Sequence, residues 1–216
     1  MNHRWITIAL VASLCLLYIT VPVRAAENRN QTALSYVELG KKLFRQGDFD
    51  KAIGAYNVAL QFAPESALGY FQRGVTYEAM GKVANALADY MKAIQLAPDM
   101  TTAWYNCGNL RLSQGDFAGA LNDFDRAIEN DPTYSMAYNN RGIAKVTKGD
   151  IQGALTDFNE AIKIDPHQPE AYVNRGLVHY QQGMKVEAEQ DFARAIAFKP
   201  SLKPSIQTRL SQINQK

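Results

Sequence analysis

Cysteine, histidine and tryptophan are all scarce. The 216 residues include two cysteines, three histidines and two tryptophans. Cys15 lies in an apolar stretch near the N-terminus, so the rest of the chain holds Cys107 alone. One thiol closes no internal disulfide, even in an oxidising compartment, and Cys107 is read as a small buried residue. His3 belongs to the N-terminal segment, His167 to a loop beside Pro166, and His179 to a helix surface. No Cys or His spacing suits zinc, so neither a metal nor a cofactor is expected. An excess of one charge is also missing. The formal balance is +2, and without Arg4 and Arg24 it is 21 basic against 21 acidic residues. A neutral body lacks the basic stripe that a phosphate backbone requires, so nucleic acid is not an expected partner. The glycines recur at a long regular spacing and form no phosphate loop. Paired acids such as Asp123 and Asp125 read as ordinary helix-surface residues. With no catalytic constellation, the expectation is that the protein is not an enzyme.

The chain opens with one long apolar run. His3 and Arg4 precede Trp5–Val21, which is broken only by Thr7, Ser13 and Thr20. Pro22 ends it, and Val23-Arg24-Ala25 places small residues where a signal peptidase needs them, for a cut after Ala25. Residues 1–25 therefore read as a secretory signal peptide or, uncleaved, as a membrane anchor. The run is a little short of the roughly 20 residues that span a bilayer comfortably. In either case the folded body lies outside the cytoplasm, periplasmic or secreted. Residues 26–32 read as a polar linker.

From Ala33 the chain repeats itself every 34 residues without insertion or deletion. With Ala33, Ala67, Thr101, Ser135 and Pro169 at position 1, position 4 is Tyr36, Tyr70, Trp104, Tyr138 and Tyr172. Glycine recurs at position 8 (Gly40 to Gly176) and at position 15 (Gly47 to Gly183). Alanine holds positions 20 and 27, an aromatic holds position 24 (Tyr56, Tyr90, Phe124, Phe158, Phe192), and proline holds position 32. Glycine at 8 and alanine at 20 let two helices of a unit approach closely. Glycine at 15 suits the left-handed residue past a helix end, and Asp48, Asp116 and Asp150 after it suit the next helix start. Proline at 32 stops the second helix. The aromatics at 4 and 24 and the Leu or Ile at 28 are the expected large core residues. Positions 7 and 11 depart most from this regularity.

The pattern resembles the tetratricopeptide repeat. The resemblance implies an all-α, right-handed superhelical solenoid of five 34-residue helix-turn-helix repeats (33–66, 67–100, 101–134, 135–168, 169–202). One hairpin cannot bury its own apolar face, and stacked hairpins share a core. Residues 203–216 continue the numbering as a capping helix, with Ile206, Leu210 and Ile213 on one face and Gln207, Ser211, Gln212 and Gln215 toward water. Position 23 is aspartate in repeats two to five, and Arg73, Arg141 and Arg175 at position 7 accompany three of them. In repeat one both charges are absent together. A within-repeat Arg–Asp pair follows, with Arg111 replacing the arginine that Cys107 displaces.

In the family, positions 2, 5, 6, 9, 12 and 13 of the first helix line a groove. Here that surface holds Phe71, Gln72, Tyr105, Asn106, Asn109, Asn139, Asn140, Ile143, Asn174 and Leu177, the candidate peptide-binding residues. Asn106, Asn140 and Asn174 at position 6 resemble the asparagine ladder of the O-linked N-acetylglucosamine transferase solenoid, whose amides grip the backbone of an extended peptide. An amide offers two donors and an acceptor, matching a peptide unit without reading its side chain. The plainer reading is that asparagine is common at position 6 and binds nothing. The carboxylate-clamp subclass needs basic residues at positions 2, 5 and 6, where this chain has Thr102, Tyr105, Asn106, Met136, Asn139 and Asn140. The resemblance implies a scaffold or adaptor that holds a protein or peptide partner. The alternative is a structural, self-associating component of an envelope complex, a homo-oligomer. Contact with a membrane is expected only through residues 1–25.

Overall fold

The computed structural model describes residues 27–215. The reading of residues 1–25 as a signal or anchor lies outside them. The described residues are helical hairpins joined by short turns, in two units, one ending at Ala97 and one beginning at Pro98.

The N-terminal unit contains α1 (27–45), α2 (Phe49–Phe62), α3 (Ala67–Ala79) and α4 (Val83–Leu96). Helix α1 already runs through 27–32, so the stretch expected to be a linker forms its exposed first turns. Nothing there stops a helix: proline and glycine are absent, and the Thr32 hydroxyl donates to the Asn28 carbonyl at 2.8 Å. The C-terminal unit contains α5 (Thr101–Ser113), α6 (Phe117–Asn130), α7 (Ser135–Thr147), α8 (Ile151–Ile164), α9 (Pro169–Gln181), α10 (Lys185–Phe198), a single 3-10 turn (Pro200–Leu202) and α11 (Lys203–Ile213). The 34-residue spacing persists in the helix starts: Phe49, Val83, Phe117, Ile151 and Lys185 for the second helix of each repeat.

Position 15 makes the turn. Gly47, Gly81, Gly115, Gly149 and Gly183 all have φ between 70° and 84°, and no other residue type has positive φ among the described residues. At each turn an amide returns to a carbonyl five residues back, as from Asp150 to Lys145 at 2.9 Å, which closes the orphaned helix end. The Asp116 and Asp150 side chains then accept from the Gly119 and Gly153 amides at 2.9 and 3.0 Å. Asp48 makes no such cap and pairs with Lys51 instead.

Position 24 fills the hairpin. Tyr56, Tyr90, Phe124 and Phe158 are at most 1% exposed and Phe192 is 7% exposed. Each ring lies over the position-8 glycine of its own repeat. A Cβ on Gly142 would meet the Phe158 ring at 2.6 Å. The position-4 aromatics were expected in the core but are only half-buried: Tyr70, Tyr138 and Tyr172 lie beside the position-7 arginines, Tyr36 stacks on Phe62, and the Trp104 indole donates to the Pro98 carbonyl at 2.8 Å. The Arg141 guanidinium is 5.3 Å from the Tyr138 ring centre. In α11, Ile206 is 3% exposed and packs with Leu210 against Val173, Phe192 and Ala195.

Candidate functional site

The charged groups inside the hairpins are structural. Asp89, Asp157 and Asp191 each accept two hydrogen bonds from the arginine at position 7 of the same repeat, at 2.6–3.0 Å. In repeat three Arg111 supplies one nitrogen to both oxygens of Asp123, at 2.6 Å. Position 11 also takes part. Lys145 lies 2.8 Å from Asp157, and the His179 Nδ1 lies 3.1 Å from Asp191. His179 therefore faces a buried acid rather than tiling a surface. Each position-7 arginine has a second arm that the sequence reading missed. Arg73, Arg141 and Arg175 donate through Nη1 to Asn57, Asp125 and Asn159, at position 25 of the repeat before. Each of the position-23 acids is held by at least one cation of its own repeat.

The candidate groove residues fall in both units. Phe71 and Gln72 lie on α3 of the N-terminal unit, where the Phe71 ring tilts against Tyr90 at 5.7 Å and the Gln72 carbonyl accepts from the buried Thr76 hydroxyl. The other eight lie in the C-terminal unit. Asn106 is half-buried on α5. Tyr105 rests edge-on against Tyr134, 5.1 Å between centres.

The asparagines form a relay between successive repeats. Asn174 on α9 donates to the Asn139 Oδ1 on α7 at 2.9 Å. Asn139 donates to the neighbouring Asn140 Oδ1 at 2.8 Å. Asn140 donates to the Asn109 Oδ1 on α5 at 2.7 Å and to the Tyr105 hydroxyl at 3.2 Å. Asn139, at position 5, is 4% exposed. The amides are thus bonded to one another along the face, rather than standing as a free ladder.

Beside the relay, α7, α9 and α11 border an open cavity of about 430 Å³. Ile143, Val146 and Thr147 come from α7, with Phe158 beneath. Asn174, Leu177, Val178 and Gln181 come from α9, and Arg209, Gln212 and Ile213 from α11. Ile143, Asn174 and Leu177 were candidates from the sequence. Val146, Thr147 and Gln181 occupy groove positions 12 and 13 of the same numbering and were legible in it. The α11 residues were not, since that helix was read only as a cap.

Family comparisons agree with this architecture. Tetratricopeptide-repeat models match residues 67–100, 101–134 and 169–202, and a TPR-repeat model matches 40–81 and 144–183. The matches together run through more than half of the chain. The chain belongs to the tetratricopeptide-repeat family. Among solved structures, MamA is 27% identical with a TM-score of 0.69, covering 76% of this chain and 96% of that one. PilF of Pseudomonas aeruginosa is 19% identical with a TM-score of 0.75, covering 87% and 86%. YrrB, described as a TPR protein with an unusual peptide-binding site, is 20% identical with a TM-score of 0.69, covering 90% and 97%. The last two speak for the fold alone. No curated protein matches in sequence. In this tetratricopeptide-repeat chain the relay and the cavity lie on the first-helix face of the C-terminal unit, where the amide and apolar side chains are contiguous.

Proposed function

We propose that this tetratricopeptide-repeat protein is an extracytoplasmic interaction scaffold. Its C-terminal unit holds an extended segment of a partner polypeptide along α5, α7 and α9. The observation that carries this reading is the amide relay from Asn174 to Asn109 beside a cavity lined in part by Ile143, Val146, Leu177 and Ile213. A neutral amide–amide bond contributes about 1 kcal/mol net. A peptide unit can replace either partner at nearly no loss, and no buried ion has to be desolvated. The aliphatic part of the cavity then supplies the affinity that exchange of equivalent bonds does not. No catalytic role is assigned, since the buried acids are held by cations of their own repeats.

The test is an Asn106, Asn140, Asn174 triple alanine variant, assayed against a partner recovered by cross-linking in the native compartment and then purified. At least a tenfold weaker affinity is expected, and unchanged affinity sinks the groove reading. The compartment is tested separately. Mass spectrometry of the mature chain is expected to begin at Ala26, and a chain beginning at Met1 rejects cleavage.

One observation favours a second, structural reading. On the N-terminal unit Leu34 is 54% and Phe62 38% exposed around a hollow of about 620 Å³. A second copy seated there would make the protein a self-associating brace, and sedimentation of the protein alone separates the two readings.

A further inference from the structure

We infer that the cavity between α7, α9 and α11 is a site for a small anionic amphiphile, a free fatty acid. Its acyl chain lies on the aliphatic wall and its carboxylate meets Arg209 at the mouth. The site goes beyond the peptide-holding reading and stands without it.

The lining sets the first constraint. Ile143, Val146, Leu177 and Ile213 give the cavity an aliphatic wall, and no acid is among the described residues that line it. Its volume of about 430 Å³ falls among small-molecule sites, which run from roughly 300 to 1,000 Å³. Such a wall gains from covering methylene groups, so the ligand has an apolar body. Arg209 sets the second constraint, as the one charged side chain among the described lining residues. It falls at position 7 of the repeat numbering, like Arg73, Arg141 and Arg175. Those three are held on one side by an aspartate of their own repeat and on the other by position 25 of the repeat before. For Arg209 the preceding position 25 is Ala193, whose side chain offers no acceptor. Among the described residues Arg209 makes no ion pair or hydrogen bond, and it is exposed at the cavity.

Together the two constraints sort the ligands. A purely apolar molecule leaves the guanidinium without a partner, and a cation is repelled by it. A single chain with an anionic head satisfies both ends, because the head stays hydrated at the exposed arginine while the chain lies inside. The head is a carboxylate, since the planar fork of one guanidinium matches its two oxygens in parallel bonds. Helix α11 fixes head and wall together. It is anchored at its start by buried Ile206 and just past its end by the Tyr180 hydroxyl, which donates to the Asn214 Oδ1 at 2.9 Å. Between these anchors Arg209, Gln212 and Ile213 line the cavity. Ile143, Asn174 and Leu177 belong to the groove as well, so on the peptide-holding reading the fatty acid and a partner segment exclude each other there.

The test is isothermal titration calorimetry of the full chain with octanoate, nonanoate and decanoate, below the concentrations at which they form micelles. Binding is expected to tighten about fourfold for each added methylene. Arg209→Gln, whose exposed side chain leaves the fold intact by circular dichroism, is expected to weaken decanoate roughly fivefold and to leave decanol unchanged. Thr147→Trp, at the exposed edge of the lining on α7, is expected to abolish binding of both. No saturable binding of decanoate, or binding that persists in Thr147→Trp, overturns the inference. An equal effect of Arg209→Gln on decanoate and decanol overturns it too, by removing the carboxylate contact. Tighter binding of decyl phosphate than of decanoate assigns the mouth to a phosphate head and overturns the choice of a fatty acid. No polypeptide partner is present, so failure here leaves the groove reading standing, and an unaffected triple asparagine variant leaves this site standing.

Discussion

Asp123 is the position-23 acid whose cation comes from position 11 instead of position 7. Its side chain is 1% exposed and Arg111 reaches it with a single nitrogen. Burial pushes its carboxyl up to about 6 from an ordinary 3.8, with Arg111 drawing it part of the way back. An acid whose pKa rises on folding stabilises the fold in its protonated form. That contribution is complete below about pH 4 and is lost as the pH rises through 6. Relative to Asp123→Asn, the wild type is expected to gain on the order of 2 kcal/mol between pH 7 and pH 4, measured by urea unfolding at both. A constant difference contradicts it. Asp157 presents the opposite case, with Arg141 and Lys145 both upon it. Asp157→Ala leaves those two cations facing each other in a half-buried site and is expected to cost about 3 kcal/mol. Asp125→Ala removes only the exposed arm and should cost less than about 1 kcal/mol. The position-7 to position-23 pairing was legible because both charges vanish together in repeat one. The role of position 11 was not legible, since Tyr77, Arg111, Lys145 and His179 share no single chemistry and only the geometry shows three of them each against the position-23 acid of its own repeat. The second arm was legible in principle: Asn57, Asp125 and Asn159 precede arginines, while Met91 precedes Cys107.

The hairpin depends on two glycines for different reasons. Gly142 gives its space to the Phe158 ring, whereas Gly149 has φ of 84° and open space around a Cβ. Gly142→Ala is expected to cost about 1–3 kcal/mol by crowding and to be partly rescued by Phe158→Leu. Gly149→Ala is expected to cost about 1 kcal/mol by backbone strain and to be eased by asparagine, which tolerates that conformation. Thermal unfolding of these variants checks both, and rescue of Gly149→Ala by Phe158→Leu would contradict the assignment. Helix boundaries were legible because glycine, aspartate and proline recur as punctuation. The start of α1 was not, since a polar stretch free of breakers reads equally well as linker or as exposed helix. The position-4 aromatics misled for a related reason: a ring with one face against an arginine, as in Tyr70, Tyr138 and Tyr172, cannot be told from core packing by residue type.

Across the chain, each unit repeats one hairpin chemistry and differs in what its first helices display. The N-terminal unit shows Leu34, Leu39 and Leu68 to solvent. The C-terminal unit shows an amide relay ending beside a cavity lined in part by aliphatic side chains. The row of asparagines was legible as a row, but its internal bonding was not, because a shared repeat position does not show which side chain turns toward which. Site-specific photo-cross-linking tests the central claim most directly. A photoreactive residue is placed at Leu177 on the first-helix face of α9 and, as a control, at the exposed Thr156 on α8. Covalent capture of one contiguous partner segment from position 177, with none from position 156, is the expected result. Capture from position 156 alone would contradict the account.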